Sequence, residues 1–367
     1  MSEILINDFR AEPQALRTAM LQAAREVLES GWYVLGKQVE AFEAAWAAAC
    51  GTAHAAGVGN GMDAIEIGLR ALDIGPGDEV VTTPMTAFAS VLGIMRAGAI
   101  PVLADIDPAT GLLDLASVAR CISPATRAVM PVHLYGRIGD MPAWANFCAA
   151  RGVHLVEDCA QAHLASWQGK PAGSFGAIGA WSFYPTKNLG AIGDGGALVT
   201  GSDQLAMQAR RLRNYGQSER YHHPVIGLNS RLDELQAALL LVKLKWLDEF
   251  TARRRQIAGR YFTQIGNPAI SCLAPPVTPQ SHVHHLFVVL CEERDRLMKH
   301  LREYGVQSLI HYPVPAHRQP PCVTLRCDPQ GLNFAEQHAA RCLSIPCHPQ
   351  MTDGDVTRVI DAVNAFR

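Results

Sequence analysis

The chain has 367 residues, of which 49% are hydrophobic and 18% charged, and its formal net charge at pH 7 is −2. This composition is typical of a globular protein with one large domain and a smaller one, and it excludes a disordered or fibrous chain. The near-neutral charge gives no reason to expect a nucleic-acid or membrane partner. The first twenty residues lack a signal-peptide pattern and the ten cysteines are scattered, so we expect a cytoplasmic protein.

Strand-like and helix-like segments alternate through the middle of the chain. In order, the sequence predicts a strand in GPGDEVVTTP, a helix in TAFASVLGIMRAG, a strand in AIPVLADID, a helix in LLDLASVARCI, a strand in TRAVMPVHLYG, a helix in MPAWANFCAARG, and strands in VHLVED, GAWSFY and GGALVT. This α/β alternation is typical of a mostly parallel sheet covered by helices on both faces. Ligands of such sheets bind at the carboxyl ends of the strands.

The second half of the chain has a different pattern. From Leu232 apolar residues recur at spacings of three and four, which predicts one long helix continuing through EFTARRRQIAGRYF. After it, SHVHHLFVVLC alternates like a strand and ERDRLMKHLREYG is helical. We therefore predict a large α/β domain over residues 13–245 and a small α+β domain over residues 246–367, which also includes residues 1–12.

Lys187 lies between the strand-like GAIGAWSFY and the glycine-rich turn of KNLGAIGDGG. A solvated loop lysine is the ordinary interpretation, because lysines are rarely buried unpaired. The alternative is an amine in a desolvated pocket, where its pKa falls and it can form a Schiff base. Asp158 ends the apolar run of VHLVED. An amine with a carboxylate nearby suits pyridoxal phosphate (PLP), because a carboxylate keeps the ring nitrogen protonated.

A phosphate site is predicted near Gly61, where the glycine-rich GVGNG opens an amphipathic helix. Backbone N–H groups at a helix N-terminus favour an anion. Ser182, five residues before Lys187, is placed to donate its hydroxyl to the same phosphate. Phe88 is predicted to lie at the end of another strand, where its ring can stack on a cofactor, although a core aromatic is the commoner role.

Two cysteine pairs have the spacing C-x4-C, Cys322 with Cys327 and Cys342 with Cys347, and His348 follows the second pair. Zinc is one interpretation of this spacing. However, Cys342 and Cys347 flank the apolar LSIP, and free cysteine commonly packs as a small hydrophobe. The pattern favours packing, and no metal site is predicted.

Several longer segments resemble the sugar aminotransferases of the DegT/DnrJ/StrS type. They are EDCAQAH, GSFGAIGAWSFYPTKNLGAIGDGGALVT, RNYGQ, GLNSRLDELQAALL, SGWYVLGKQVEAFE and HYPVPAHRQP, and the resemblance extends over nearly the whole chain. It implies a fold-type-I PLP transferase with a mostly parallel central sheet in a large domain and a smaller α+β C-terminal domain. It also implies a homodimer with shared active sites and a role in amino-sugar biosynthesis.

The resemblance assigns roles around the cofactor ring. Lys187 matches the Schiff-base lysine, Asp158 the acid beneath the pyridine nitrogen, and Gln161 a glutamine near the ring. Some family members have histidine in place of this lysine and are dehydratases. This chain keeps Lys187, which favours transamination.

The resemblance also assigns the phosphate site. Ser182 and the backbone at Gly61 and Met62 match phosphate-binding positions, and Asn229 matches an asparagine that reaches the phosphate from the neighbouring subunit. Met62 stands where the family often has threonine, so a side-chain hydroxyl contact is lost there while the backbone N–H remains.

For the substrates, the resemblance implies a nucleotide-linked keto-sugar and L-glutamate as amino donor. The candidate substrate contacts are Tyr33, Arg213, Tyr215, His311 and Tyr312, with Arg220 as a further cation for a diphosphate. For the basic positions a solvated helix end is the competing interpretation, and for the aromatic ones packing at a domain seam.

The stretches WYVLG, VHLYG and HYPVP look most like family members that act on a dTDP-linked 3-keto-6-deoxyhexose. A 4-keto-sugar or keto-cyclitol aminotransferase is the alternative. A non-catalytic PLP-binding regulator is a more distant one, since it requires an incomplete catalytic set. A Rossmann dehydrogenase built on GAIGDGG is disfavoured, because those glycines precede a strand and lack the G-x-G-x-x-G spacing.

Overall fold

A computed structural model describes residues 3–367, in which helices and strands alternate. The helices are α1 (Gln14–Ser30), α2 (Lys37–Ala49), α3 (Gly61–Ala71), α4 (Phe88–Arg96), α5 (Leu115–Cys121), α6 (Met141–Ala149), α7 (Asp203–Leu212), α8 (Glu234–Leu244), α9 (Leu247–Gln264), α10 (Arg294–Glu303), α11 (Asn333–Arg341) and α12 (Asp353–Asn364). The strands are β1 (His54–Val58), β2 (Glu79–Thr82), β3 (Ile100–Leu103), β4 (Thr126–Val129), β5 (His154–Asp158), β6 (Ser166–Trp167), β7 (Lys170–Pro171), β8 (Ile178–Ser182), β9 (Gly196–Thr200), β10 (Ser271–Cys272), β11 (Phe287–Leu290) and β12 (Cys342–Ile345).

The central sheet has seven strands in the order β1-β9-β8-β5-β4-β2-β3. The strands β8, β5, β4, β2 and β3 run parallel to one another, and β9 is antiparallel to its two neighbours β8 and β1, so the predicted mostly parallel sheet is confirmed. Successive residues of a strand pack into opposite cores: Val81 lies with Phe42 and Trp46, and Val80 lies with Ile67 and Ile94. Because side chains alternate between the two faces of a strand, apolar residues cover both faces of the sheet and both are buried.

A second, antiparallel sheet, β10-β11-β12, lies in the C-terminal part of the chain. Its apolar face packs with α9, α10 and α12 around Tyr261, Leu297 and Val359. The N-terminal segment joins this core, because Ile4 pairs with Val306 and is buried. The domain boundary at residues 245/246 stays a prediction. No helix among residues 3–367 is long and apolar enough to cross a membrane.

The prediction of one long helix from Leu232 is wrong, because the chain turns between α8 and α9. The Trp246 N–H donates to the carbonyl of Lys243, three residues earlier, at 3.0 Å. This spacing is that of a 3₁₀ turn and interrupts the α-helical hydrogen bonds. α8 contributes Leu240 to the central core, whereas α9 contributes Ile257 to the C-terminal core. A single straight helix would not pack into both cores.

Two predicted strands are also shorter than the sequence pattern indicates. β4 ends at Val129, and Pro131, which has no N–H to donate to a ladder, follows soon after. β11 begins only at Phe287, because the preceding backbone bonds elsewhere: the Val283 N–H donates to the Gly136 carbonyl at 2.9 Å. Phe88 begins α4 instead of ending a strand.

A carboxylate on α8 caps the start of α2. Glu234, which is 3% exposed, accepts the backbone N–H groups of Gly36 and Val39 at 2.9 and 2.8 Å through one oxygen, and that of Gln38 at 2.9 Å through the other. The negative charge also stands at the positive end of the helix dipole. This contact fixes the segment that carries Tyr33.

We expect Glu234→Ala to lower the free energy of unfolding by about 3 kcal/mol, because three amide donors lose a charged acceptor. Glu234→Gln keeps one amide oxygen and is expected to lose less. Urea unfolding followed by tryptophan fluorescence measures both. An alanine variant as stable as the wild type would contradict the assigned cap.

Candidate active site

Asp158 is buried at the carboxyl end of β5. Its Oδ2 accepts the Ser90 hydroxyl at 2.6 Å, and its Oδ1 accepts the Ala160 N–H at 3.1 Å. Ser90 lies on α4 and is itself 2.6 Å from the Thr86 hydroxyl. These bonds hold the carboxylate at a fixed orientation, and sequence reasoning missed Ser90 and Thr86 because no local pattern links them to β5.

The adjacent carboxylate has a structural role. Glu157 is fully buried, and it accepts N–H groups from Gly173, Phe175 and Gly176 at 2.7–2.9 Å. His133 Nε2 lies 3.0 Å from it. Because strand residues alternate between faces, Glu157 fixes the loop before β8 while Asp158 faces the site.

Cysteines near the sheet pack as hydrophobic residues. Cys159 lies with His133 and Glu157 within 4.8 Å, but the Glu157 oxygens are already bonded to amides. Burial raises the pKa of the Cys159 thiol well above its usual value. Cys322 and Cys342 pack in one apolar cluster and Cys347 in another, which fits the packing interpretation of the C-x4-C pairs.

Lys187 lies in the turn after β8, where its N–H donates to the Tyr184 carbonyl at 2.8 Å. Burial lowers the pKa of its amine from 10.5 to about 8, and the Asp158 carboxylate opposes that shift. The turn depends on Gly190, since a Cβ there would lie 2.3 Å from the Pro185 carbonyl oxygen. An amine with this pKa is deprotonated far more readily near neutral pH than an ordinary lysine.

Three histidines surround this amine, and burial is the largest cause of the lowered pKa of each. The pKa is about 3 for His163, well below its usual value for His285 and about 4 for His311, and the charge of Lys187 contributes to every shift. All three are therefore neutral at physiological pH. Sequence reasoning named only His311, because the other two are identified by distant contacts.

Gln161 and Tyr312 lie beside Asp158. Gln161 Oε1 accepts the Tyr135 N–H at 2.6 Å, and its Nε2 donates to the Tyr312 hydroxyl at 3.3 Å. Burial, reinforced by the Asp158 charge, raises the pKa of Tyr312 to about 12, while the bond from Gln161 opposes the shift. His311 Nδ1 lies 2.8 Å from the Ser344 hydroxyl. Tyr312 is thus placed near the acid predicted to face the cofactor ring.

The start of α3 lies directly against Ser182. A Cβ on Gly61 would lie 2.7 Å from Ser182 Cβ, so the close approach requires glycine. Asn60 caps the helix by accepting the Asp63 N–H at 2.9 Å. The helix N-terminus and the Ser182 hydroxyl provide donors for an anion, as a phosphate requires. With Lys187 and Asp158, these residues fit PLP.

Arg213 has a different place from the one predicted. It is 7% exposed, and its guanidinium pairs with Glu43 and donates to the Gly57 carbonyl at 2.8 Å. These contacts join α2, β1 and the end of α7. Because the side chain is buried and its charge is paired with Glu43, Arg213 is not available to a diphosphate, and the predicted substrate contact is corrected.

The remaining predicted residues lie at or near the surface. Tyr33 is 53% exposed and Tyr215 46% exposed. Asn229 is exposed, with its backbone paired to Asn214. Phe88 is half-buried and packs against the cluster around Met85, which leaves its predicted stacking role untested. Arg220 is exposed, and Met62 is half-buried in the first turn of α3.

The sheet and the groups at its carboxyl edge define a fold-type-I, PLP-dependent enzyme. The chain belongs to the DegT/DnrJ/EryC1/StrS aminotransferase family, whose model matches residues 14–364. The family is PLP-dependent, and this chain is an aminotransferase.

Similar proteins cover almost the whole chain. A dTDP-3-amino-3,4,6-trideoxy-alpha-D-glucose transaminase from Streptomyces venezuelae is 45% identical over 98% of this chain and 95% of its own length. The erythromycin biosynthesis sensory transduction protein EryC1 from Saccharopolyspora erythraea is 44% identical, with 98% of each chain covered. The crystal structure of S. venezuelae DesV in complex with a ketimine intermediate has a TM-score of 0.95 at 43% identity, covering 99% of this chain and 98% of that one.

Gly61→Ala is expected to weaken PLP binding by about tenfold to a hundredfold, because the added methyl group separates the α3 N-terminus from Ser182. Gly259→Ala is the matched control, since a Cβ there meets no atom within 4 Å. Equilibrium titration of the cofactor-free proteins with PLP gives both dissociation constants. Equal affinity for the two variants would refute the phosphate cradle.

The lowered pKa of Lys187 gives a pH-dependent contribution to stability. In cofactor-free protein the free energy of unfolding has its full value, as far as this amine is concerned, above pH 10.5. It decreases as the pH falls from 10.5 through about 8, because the amine binds a proton more tightly in the unfolded chain than in the folded one. Lys187→Met removes the titration. We expect its advantage in melting temperature over the wild type to shrink from pH 8 to pH 10. A pH-independent difference would show that the amine is not desolvated.

Proposed function

We propose that the protein transfers an amino group from L-glutamate to a nucleotide-linked keto-deoxysugar, with a dTDP-linked 3-keto-6-deoxyhexose as the favoured acceptor. The products are 2-oxoglutarate and the corresponding amino sugar, so atoms and electrons balance over the two half-reactions. The observation that carries the transamination chemistry is the position of Lys187 in the turn after β8, next to the strand β5 that ends in the buried Asp158; desolvation of the amine lowers its pKa to about 8. The name of the Streptomyces venezuelae relative supports the choice of acceptor.

The cofactor, when bound, supplies an electron sink for the carbanion that forms at the donor's α-carbon. Asp158 would keep the ring nitrogen protonated, and Ser90 and the Ala160 N–H keep that carboxylate oriented. Lys187 Nζ would hold the cofactor, and as a free amine it would take the proton from the α-carbon of glutamate. Its lowered pKa favours the neutral amine that this step needs.

Other residues are proposed to bind and orient the cofactor and the sugar nucleotide. Ser182, which lies against Gly61, and the backbone N–H groups at Gly61 and Met62 would hold the phosphate. Gln161, which is bonded to Tyr312, would lie beside the ring. Phe88 is proposed to stack on the ring from α4. For the sugar nucleotide we propose Tyr33, Tyr215, His311 and Tyr312, with the exposed Arg220 in place of Arg213 at the diphosphate.

The acceptor assignment is tested with purified protein, PLP, L-glutamate and matched ketones. We expect the highest kcat/KM with the dTDP-linked 3-keto-6-deoxyhexose, by about tenfold or more over the 4-keto isomer and a keto-cyclitol. Preference for either alternative would reassign the acceptor within transamination. No amino product from any ketone would favour the regulatory alternative, which the intact set of Asp158, Gln161, Ser182 and Lys187 disfavours.

We also propose that the enzyme is a homodimer in which Asn229 of one subunit reaches the phosphate bound by the other. Large exposed apolar side chains support a protein contact: Trp32, Tyr33, Tyr221 and Ile226 are 53–86% exposed. Asn229 lies close to Tyr221 and Ile226 along the chain. Its exposure leaves it available to a second copy.

Complementation tests the shared site. Lys187→Ala and Asn229→Asp are each expected to be nearly inactive, the second because its carboxylate repels phosphate. In an equal co-expressed mixture half of the dimers are mixed, and one of their two sites is intact, so activity returns to about a quarter of wild type. A mixture no more active than the sum of its parts would contradict a site built from two subunits.

A further inference from the structure

The residue that follows Lys187 is bonded to a distant segment. Asn188 Nδ2 donates to the Val283 carbonyl at 3.1 Å, and Asn188 Oδ1 lies 3.3 Å from His285 Nδ1. Since the bond to Val283 fixes which end of the amide is the donor, Oδ1 is the acceptor and His285 carries its proton on Nδ1. One side chain thus joins the Lys187 turn to the segment 283–285 by two hydrogen bonds.

That segment is itself firmly held. The Val283 N–H donates to the Gly136 carbonyl at 2.9 Å, and Arg254 on α9 donates to the His285 carbonyl at 3.3 Å. His285 is 7% exposed and leads directly into β11. The Lys187 turn is therefore fastened, through Asn188, to a buried segment that belongs to the C-terminal sheet.

We propose that Asn188 and His285 are positioning residues of the transamination site: their hydrogen bonds hold the Lys187 turn against segment 283–285 and keep the amine away from water, with His285 donating its Nδ1–H to Asn188. The proposal rests on the proposed function through the assignment of Lys187 as the reacting amine. It adds two residues that lie outside the predicted catalytic and cofactor-binding set.

Burial is the main cause of the lowered pKa of Lys187, so loosening the turn should raise that pKa. The other charged or titratable groups around the turn stay unchanged in the variants below. They are Asp158 at the end of β5, His163 after β5, His311 before β12, Arg254 on α9, and Asp8, Glu12 and Lys243 across the cleft beneath the turn.

The test uses cofactor-free full-length protein, an amine-reactive probe and peptide mass spectrometry, which give the labelling of Lys187 against pH. We expect a wild-type midpoint near pH 8. Asn188→Ala should raise it by about one pH unit or more. Asn333→Ala, at an exposed residue of α11, is the matched control and should leave it unchanged.

A pair of substitutions at His285 separates the hydrogen bond from packing. Asn places an N–H near the position of Nδ1, whereas Leu has a similar size and no donor. We expect His285→Asn to keep the midpoint within about half a pH unit of wild type and His285→Leu to raise it as Asn188→Ala does. Melting curves confirm that each protein is folded. Wild-type midpoints in folded Asn188→Ala and His285→Leu would overturn the proposal.

Borohydride reduction of the PLP-loaded wild type, followed by peptide mapping, distinguishes a failure of the proposed function from a failure of the positioning role. Attachment of the cofactor at a lysine other than 187 would refute the proposed function whatever the midpoints. Attachment at Lys187 with unmoved midpoints would refute only the positioning role of Asn188 and His285.

Discussion

The burial of the Lys187 amine is the constraint on which the rest of the site depends. A lysine amine in water stays protonated at neutral pH, and a protonated amine neither attacks an aldehyde nor accepts a proton. Desolvation lowers its pKa to about 8 even though the Asp158 carboxylate favours the charged form. The carboxylate that the ring nitrogen needs and the neutral amine that the chemistry needs are thus compatible only because the amine is desolvated.

Parallel strand pairing brings the parts together. β5 and β8 are neighbours with Asp158 opposite Ala180, so Ser182 and the Lys187 turn follow at the same edge of the sheet. Ser182 pairs in turn with Gly196 of β9, where a Cβ would lie 2.4 Å from the carbonyl group of Asn60. The start of α3 is consequently pressed against the end of β8. Glycine at these close contacts serves the placement of the helix N-terminus.

The sequence was informative where a local pattern carries the chemistry. The alternation of strands and helices, and the position of Lys187 and Asp158 after apolar runs, follow from periodicity and residue type. Arg213 shows where such reasoning fails: its charge is predicted at the surface, yet Glu43 on α2 pairs with it in the interior. His285, Asn188 and Ser90 were missed for the same reason, since their partners are distant in sequence.

The most direct measurement is the absorption spectrum of purified protein with PLP, before and after L-glutamate, for wild type and Lys187→Ala. A Schiff-base role for Lys187 predicts a visible band in the wild type that shifts toward the near ultraviolet with glutamate, and no such conversion in the variant. A wild type that shows no visible band with PLP and no change with any amino donor would contradict it.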